Sequence, residues 1–206
     1  MADNLSWLAK RYRPKVLIDI GANDGAYGLY LKKLFGVMEV HVFEPQPKHR
    51  ESLISKGFIV HSVALADKAG EASFYTNTYD SASSLLPITD ICRTEYPKTA
   101  DSQLSMVQTA RLDDELPVPP QDSLIKIDAQ GYELPIIQGG RQVVSRALIV
   151  LIEMSFQRLY EGQSLFNDVH SELDALGFEL AGFLKQYAQE STGQPLFAHC
   201  AYIRRI

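Results

Sequence analysis

The sequence predicts an α/β fold: a doubly wound, Rossmann-like sheet of seven mostly parallel strands. One reversed edge strand and a small β-hairpin or lid insertion around residues 70–112 complete it. Three observations carry this prediction. From Lys15 to Leu65, apolar runs of strand length alternate with segments of helical spacing, which argues for parallel strands with right-handed crossovers. Four apolar runs end at an acid: Asp19, Glu44, Asp128 and Glu153. The last two strand candidates, 178–183 and 198–203, are joined through Gly193-Gln194-Pro195 with no helix-sized segment between them, which implies an antiparallel pair at the sheet edge.

The chain has 206 residues, which suits one domain (1–206) around one core. Apolar residues make up 46% and charged residues 22%, as in soluble globular domains. The net charge of −5 gives no attraction to nucleic acid or an anionic membrane. No apolar run approaches the roughly 20 residues of a membrane span. Met1 to Trp7 lacks the basic start and apolar core of a signal peptide, so a cytoplasmic location is expected. Asn4-Leu5-Ser6 then has no meaning as a glycosylation site. Cys92 and Cys200 fit no metal or redox spacing and read as idle thiols.

Taken in order, residues 3–13 read as a short amphipathic helix that Pro14 stops. Val16 to Ile20 is the first strand, broken at Gly21. Tyr27, Tyr30, Leu31, Leu34 and Phe35 then recur at helical spacing. Residues 39–43 form the second strand. Pro47 suits the first turn of a helix that runs to about Lys56. Phe58 to Leu65 is the third strand. The backbone of its Ala64 and Leu65 either flanks an adenine ring or is packed core. Residues 71–76 alternate like a half-exposed strand, and 106–111 return to pair with 72–76. Between them, residues 77–106 show little periodicity, which in a compact domain means a lid or a disordered excursion; a lid is expected. Residues 112–116 make a short helical turn. The fourth strand, 124–128, leads through Gly131 into a helix over 134–138, stopped by Gly139-Gly140. The fifth strand is 147–154. A helix over 165–176 turns Phe166, Val169, Leu173 and Leu176 inward, and Gly177 caps it.

The glycine-rich turn after the first strand lets backbone approach a ligand, and the helix start offers unpaired N–H donors. A dinucleotide fingerprint needs glycines at its first, third and sixth positions. Here the third is Asn23 and the sixth Ala26. A phosphate loop's Gly-Lys-Ser/Thr is absent. Asp19 suits a cation better than a pyrophosphate; its competing role is to cap the turn. S-adenosylmethionine (SAM) carries a sulfonium and an ammonium and no phosphate. Glu44 stands 23 residues beyond Gly21, near the spacing of an acid that binds adenosine ribose hydroxyls. Its competing reading is an exposed carboxylate before Pro45. The fourth strand should lie beside the first, so Asp128 is expected to face the same cleft as Asp19.

These residues resemble the FkbM-type family of class I SAM-dependent methyltransferases. The resemblance rests on V-L-I-D-I-G-A-N-D-G-A-Y-G, V-H-V-F-E-P, A-L-A-D-K-A-G-E-A-S-F-Y, L-I-K-I-D-A-Q-G-Y-E and V-L-I-E-M, in the family's order from Val16 to Met154. Beyond Met154 only the architecture matches. The resemblance implies SAM as cofactor and methyl transfer to an oxygen, often a hydroxyl of a sugar or secondary metabolite. It places cofactor contacts on Asp19, Gly21, Ala22, Asn23 and Gly25, and the ribose contact on Glu44. Pro45, Ala64, Leu65 and Asp128 complete the expected cofactor set. The family's K-I-D-x-x-G-x-E pattern matches at Lys126, Asp128, Gly131 and Glu133. Some related O-methyltransferases use a divalent metal; no His/carboxylate spacing demands one here, and none is expected.

A hydroxyl acceptor must lose a proton, which calls for a base. The candidates are Asp128, Glu133 and Glu153, with His170 behind them. Asp128 leads because its strand should end beside the methyl; its competing role is to bond the Gly131 turn. Glu153 has a competing role bonding strand-end backbone, and His170 and His61 have structural ones. Tyr75, Tyr79, Ser83 and Ser84 are candidates for acceptor or cofactor contact. The expected partner is a small-molecule or glycan acceptor, with no nucleic acid and no membrane; a homodimer is admitted. An NAD-type oxidoreductase is opposed by Asn23. A nucleic-acid methyltransferase is opposed by the acidic charge and by Asp128-Ala129-Gln130-Gly131, where an Asn/Asp-Pro-Pro-Tyr/Phe run would stand. A non-catalytic SAM-binding module stays open.

Overall fold

A computed structural model describes residues 5–205. Its strands are β1 (Val16–Ile20), β2 (Glu39–Phe43), β3 (Ile59–His61), β4 (Ala64–Leu65), β5 (Gly70–Asn77), β6 (Ser102–Ala110), β7 (Ser123–Ile127), β8 (Ala147–Ser155), β9 (Phe178–Ala188) and β10 (Pro195–Arg204). The helices are α1 (Ser6–Arg11), α2 (Ala26–Phe35), α3 (Arg50–Ser55), α4 (Asp90–Glu95), α5 (Leu112–Glu115), α6 (Glu133–Gly139), α7 (Arg141–Val144) and α8 (Phe166–Ala175). Residues 3 and 4 of the expected first helix, and the Asn4 of the glycosylation pattern, lie outside the described residues.

Seven strands form one sheet in the order β3-β2-β1-β7-β8-β10-β9, as the alternating pattern predicts. Strands β3, β2, β1, β7 and β8 pair in parallel. Strand β10 runs antiparallel to both β8 and β9. The reversed strand therefore lies one place in from the edge, a correction to the expected reversed edge strand. Composition explains the swap. Leu196, Ala198, Cys200, Ala201 and Tyr202 of β10 are wholly buried, whereas Glu179, Lys185 and Gln186 of β9 are exposed. The apolar strand takes the covered position and the charged one blunts the edge.

Side chains alternate across the sheet with period two. Ile18, Ile20, Ile125, Ile127, Val150 and Ile152 pack on one face, with residues of α6, α7 and α8. Leu17, Leu124, Ile149 and Leu151 pack on the other, with α1, α2 and α3. Both faces are covered, as a parallel sheet requires.

Two expectations are corrected between residues 58 and 106. The third strand is not continuous to Leu65: β3 ends at His61, and β4 joins a second sheet of order β4-β6-β5. An apolar run does not reveal where a chain changes partners. The hairpin of β5 and β6 forms, with Asn77 opposite Ser102 and Gly70 opposite Thr109, longer than expected. Residues 78–101, read as aperiodic, hold α4 and 3-10 turns at Asp80–Ala82 and Pro97–Thr99. Elements of three to six residues are too short to show a period. Ile88 and Cys92 of this insertion pack with Leu159, Tyr160 and Leu196, a small third core.

Candidate active site

The carboxyl ends of β1, β2, β7 and β8 open into a cavity of about 530 Å³. Its floor is the turn from Gly21 to Ala26, where every backbone amide is already spent. Gly21 and Ala22 N–H donate to the Phe43 carbonyl at 3.0 and 3.3 Å, and Gly25 N–H to Ala22 at 2.8 Å. Asn23 N–H donates to Glu44 Oε2 at 2.9 Å, Asp24 N–H to Asn23 Oδ1 at 2.7 Å, and Ala26 N–H to Asp24 Oδ1 at 2.8 Å. The amides from Gly21 to Ala26 therefore leave no free donor within the turn itself. A pyrophosphate needs such free donors, so this turn cannot cradle one.

Glu44 is buried and lines the cavity. Its other oxygen, Oε1, accepts from Gln46 N–H at 2.9 Å. Burial raises its pKa, while the amides of Gln46 and Asn23 oppose the shift. Gln46 Oε1, also on this wall, is buried with no hydrogen-bond partner among the described residues. Val63, Ala64 and Leu65 supply an apolar strip beside it. Gly21, Ala22, Asn23 and Pro45 also line the cavity.

Three expected site residues stand behind its wall. Asp19 is fully buried on the α2 face, with Oδ1 3.2 Å from Lys126 Nζ on the neighbouring strand. That ammonium donates to the carbonyls of Ile20 and Gly21 at 3.2 and 2.7 Å. Burial pulls the Lys126 pKa down, but Asp19 and Asp128 outweigh it and hold it above the ordinary value. Gly28 of α2 lies over the pair; a Cβ there would meet Asp19 Oδ2 at 2.5 Å. Asp19 thus anchors the turn from beneath and does not face the cleft with Asp128. Gly25 turns towards Leu53 and Phe58, away from the cavity. Gly21 has its own packing reason to be glycine: a Cβ would stand 2.0 Å from the Asp128 carbonyl oxygen.

The third is Glu133, corrected here from candidate base to turn brace. Its Oε1 accepts from the amides of Ala129 and Gly131 at 3.0 and 3.1 Å. It performs the structural task that competed for Asp128. Burial pushes its pKa up to about 7.

Asp128 and Glu153 line the cavity, and sequence reasoning missed the residues that join them. Gln130, held at φ +52°, donates from Nε2 to Asp128 Oδ1 at 2.6 Å and to Glu153 Oε1 at 3.4 Å. Tyr160 donates its hydroxyl to Gln130 Oε1 at 2.7 Å. His199 stands opposite Glu153 in the β8–β10 register, with Nε2 3.9 Å from Glu153 Oε2. Burial, then the charges of Asp128 and Glu133, push the Glu153 pKa well above the usual range. No spacing signal could have found this group, because its members lie on separate elements.

A second cavity of about 530 Å³ lies under the insertion. It shares Ser81, Asp128, Gln130, Glu153, Tyr187 and His199 with the first. Tyr79, Tyr96, Tyr160 and Phe197 add aromatic surface. The insertion is tied across both. Ser84 Oγ donates to the Gln130 carbonyl at 2.7 Å, and Asp80 Oδ2 accepts from Asn23 Nδ2 at 3.3 Å and lies 2.7 Å from His49 Nε2. Ser83 and Ser84 line the first cavity, whereas Tyr75 lines neither. His170 bonds the Tyr202 hydroxyl at 3.0 Å away from both, and His61 lies 2.9 Å from Glu115: both are structural.

The mostly parallel seven-stranded sheet with one reversed strand has the Rossmann-like fold seen in solved SAM-dependent methyltransferases. The profile of the methyltransferase FkbM domain matches residues 19–180, and the chain belongs to that family. The 2-O-methyltransferase NoeI of Sinorhizobium fredii (strain NBRC 101917 / NGR234) is 29% identical over 161 residues. That match covers 72% of this chain and 66% of the relative, just under two thirds of its length. The magnesium protoporphyrin IX methyltransferase of Synechocystis PCC 6803, solved with bound SAM, shares the fold at 12% identity and TM-score 0.50. It is matched over 98% of this chain and 76% of that one. Sp1610 of Streptococcus pneumoniae, solved in complex with SAM, does so at 9% identity and TM-score 0.50, over 99% and 73%. The family is one of methyltransferase domains, and both of these solved proteins of similar fold hold SAM. The first cavity fits that cofactor: a buried carboxylate, an unpartnered amide oxygen and an apolar strip suit an adenosine. Among the described residues, no helix is long and apolar enough to cross a membrane.

Proposed function

We infer that this chain is a SAM-dependent O-methyltransferase acting on a hydroxyl of a small molecule or sugar. One observation carries the reading: two cavities meet at Asp128, Glu153 and His199. The first has the adenosine-binding features and the second is walled by aromatic rings. When bound, SAM supplies an electrophilic methyl on a sulfonium. Glu44 would hold the ribose hydroxyls, and Gln46 with the Val63–Leu65 strip would hold the base. Asp128, reached from both cavities, takes the acceptor's hydroxyl proton as the oxygen–methyl bond forms. The tyrosines offer flat faces with a polar edge, and Phe197 adds a flat apolar one, a lining suited to a hydroxylated ring. The relative's name, a 2-O-methyltransferase, supports a hydroxyl acceptor. Alignment of the two reactants across the junction is worth about 7–11 kcal/mol of barrier.

Calorimetric titration with SAM and with NAD tests the cofactor half of this reading. Heat with SAM and none with NAD is expected; the reverse ends the reading. Transfer of labelled methyl from SAM to a panel of hydroxylated metabolites and sugars tests the rest. SAM binding without transfer to any of them would favour a binding module.

A further inference from the structure

We propose that Asp128, Glu153 and His199 together bind one divalent metal ion where the two cavities meet. One ligand atom of each residue lies within 4.8 Å of the other two. The sheet preforms this group: Asp128 follows the last residue of β7, and Glu153 faces His199 across the β8–β10 ladder. Small side-chain rotations bring such atoms to the roughly 2.0–2.2 Å of a metal bond. These are not solvated surface acids. Glu153 is 7% exposed, and its described contacts are long ones, 3.4 Å from Gln130 Nε2 and 3.9 Å from His199 Nε2.

Charge argues in the same direction. Asp128 and Glu153 share the junction with Glu133 close behind, and Lys126, the cation that offsets Glu153, is already paired with Asp19. Neighbouring carboxylates are costly to ionise together, and a dication offsets two of them. Hydrogen bonds behind the ligands complete the picture. Gln130 orients Asp128 at 2.6 Å, and Tyr160 orients Gln130 at 2.7 Å, the kind of outer support that metal-binding carboxylates carry. Two carboxylates and one imidazole suit a six-coordinate ion such as Mn²⁺ or Mg²⁺, and the imidazole favours Mn²⁺. Three protein ligands leave positions open to the acceptor.

The catalytic consequence rests on the methyl-transfer reading; the binding itself does not. A hydroxyl bound to the ion becomes more acidic. Asp128 can ligate through one oxygen and take the hydroxyl proton on the other. The oxygen then bonds the methyl carbon, the carbon–sulfur bond breaks, and its electron pair stays on sulfur.

The full chain, stripped with chelator and dialysed, is titrated with MnCl₂ while the spin-resonance signal of free Mn²⁺ is followed. One ion per chain is expected. Glu153→Gln and His199→Ala should each weaken binding at least about tenfold. His170→Ala, which removes an imidazole remote from both cavities, should not. Circular dichroism checks the fold of each variant, and the near-isosteric Glu153→Gln keeps the test alive if His199→Ala does not fold. No stoichiometric binding to the wild-type chain, or unchanged affinity in Glu153→Gln, overturns the proposal. SAM calorimetry on the same samples separates the two ideas. SAM heat without Mn²⁺ binding removes the ion and leaves the methyltransferase; Mn²⁺ binding without SAM heat does the opposite.

Discussion

On the β1–β2 side of the cleft, a short run of chain builds the wall. Gly21 to Gln46 supplies the turn, the carboxylate of Glu44 and the amides that grip it. On the β8–β10 side, Asp128, Glu153, Tyr160 and His199 arrive from four separate stretches, and the insertion closes over them. The first wall is a backbone device, with side chains used mainly to consume N–H groups. The second is a side-chain device held by a sheet. Binding of a common cofactor can live in a local motif, whereas acceptor chemistry depends on how distant strands dock.

Substitutions can separate the two walls. Asp128→Asn should have the largest effect: kcat falls by about 10²–10⁴, while the Kd for SAM stays within about twofold. Comparable losses in both would merge the two walls into one. At the seam between them, Lys126→Met leaves Asp19 buried without its partner. Urea unfolding should show a loss of about 3–5 kcal/mol. A loss under about 1 kcal/mol would mean that the pair does not hold the seam.

Glu133 tests the brace beneath the second wall. Its carboxyl keeps its proton in the fold up to about pH 7, but in the unfolded chain releases it near 4.5. The ionised form is therefore penalised by folding. Below about pH 4.5 both states are protonated and no penalty exists; it grows as pH rises to about 7 and stays constant above. Glu133→Gln, which mimics the protonated group, should remove this decline, a difference on the order of 3 kcal/mol at pH 8. Parallel stability–pH curves for the two proteins would mean that burial does not hold the Glu133 proton in the fold. The smallest effect belongs to the first wall. Glu44→Gln keeps one acceptor oxygen, so the Kd for SAM should rise about 10- to 100-fold, or about 1.4–2.8 kcal/mol, with kcat at saturation nearly unchanged.

Much of this contrast was legible in the residues. Asp19, the glycine turn and Glu44 sit close together in the chain, so strand, turn and acid could be read as one unit. Asp128 and Glu153 were visible as strand ends. Which carboxylates face the cleft was not. Asp19 and Glu133 look as acidic as Asp128 on paper, but one lies beneath Gly28 and the other beneath the Gly131 amide. His199 carried no signal at all, being one histidine in a strand-like run. Residues 78–101 hid their order because a six-residue helix and two three-residue turns have no period to detect.

Local pattern by itself determined the alternation of strands and helices, the family and the glycine turn with its acid, Glu44, because each depends on residues close to one another in the chain. Only the tertiary structure decided that β10 lies inside β9, that Glu133 braces a turn, and that Asp128, Glu153 and His199 converge. Those outcomes follow from which strand has the more apolar faces to bury and from which side of the sheet each side chain takes in the docked register. Those are properties of contacts between segments, not of any segment alone.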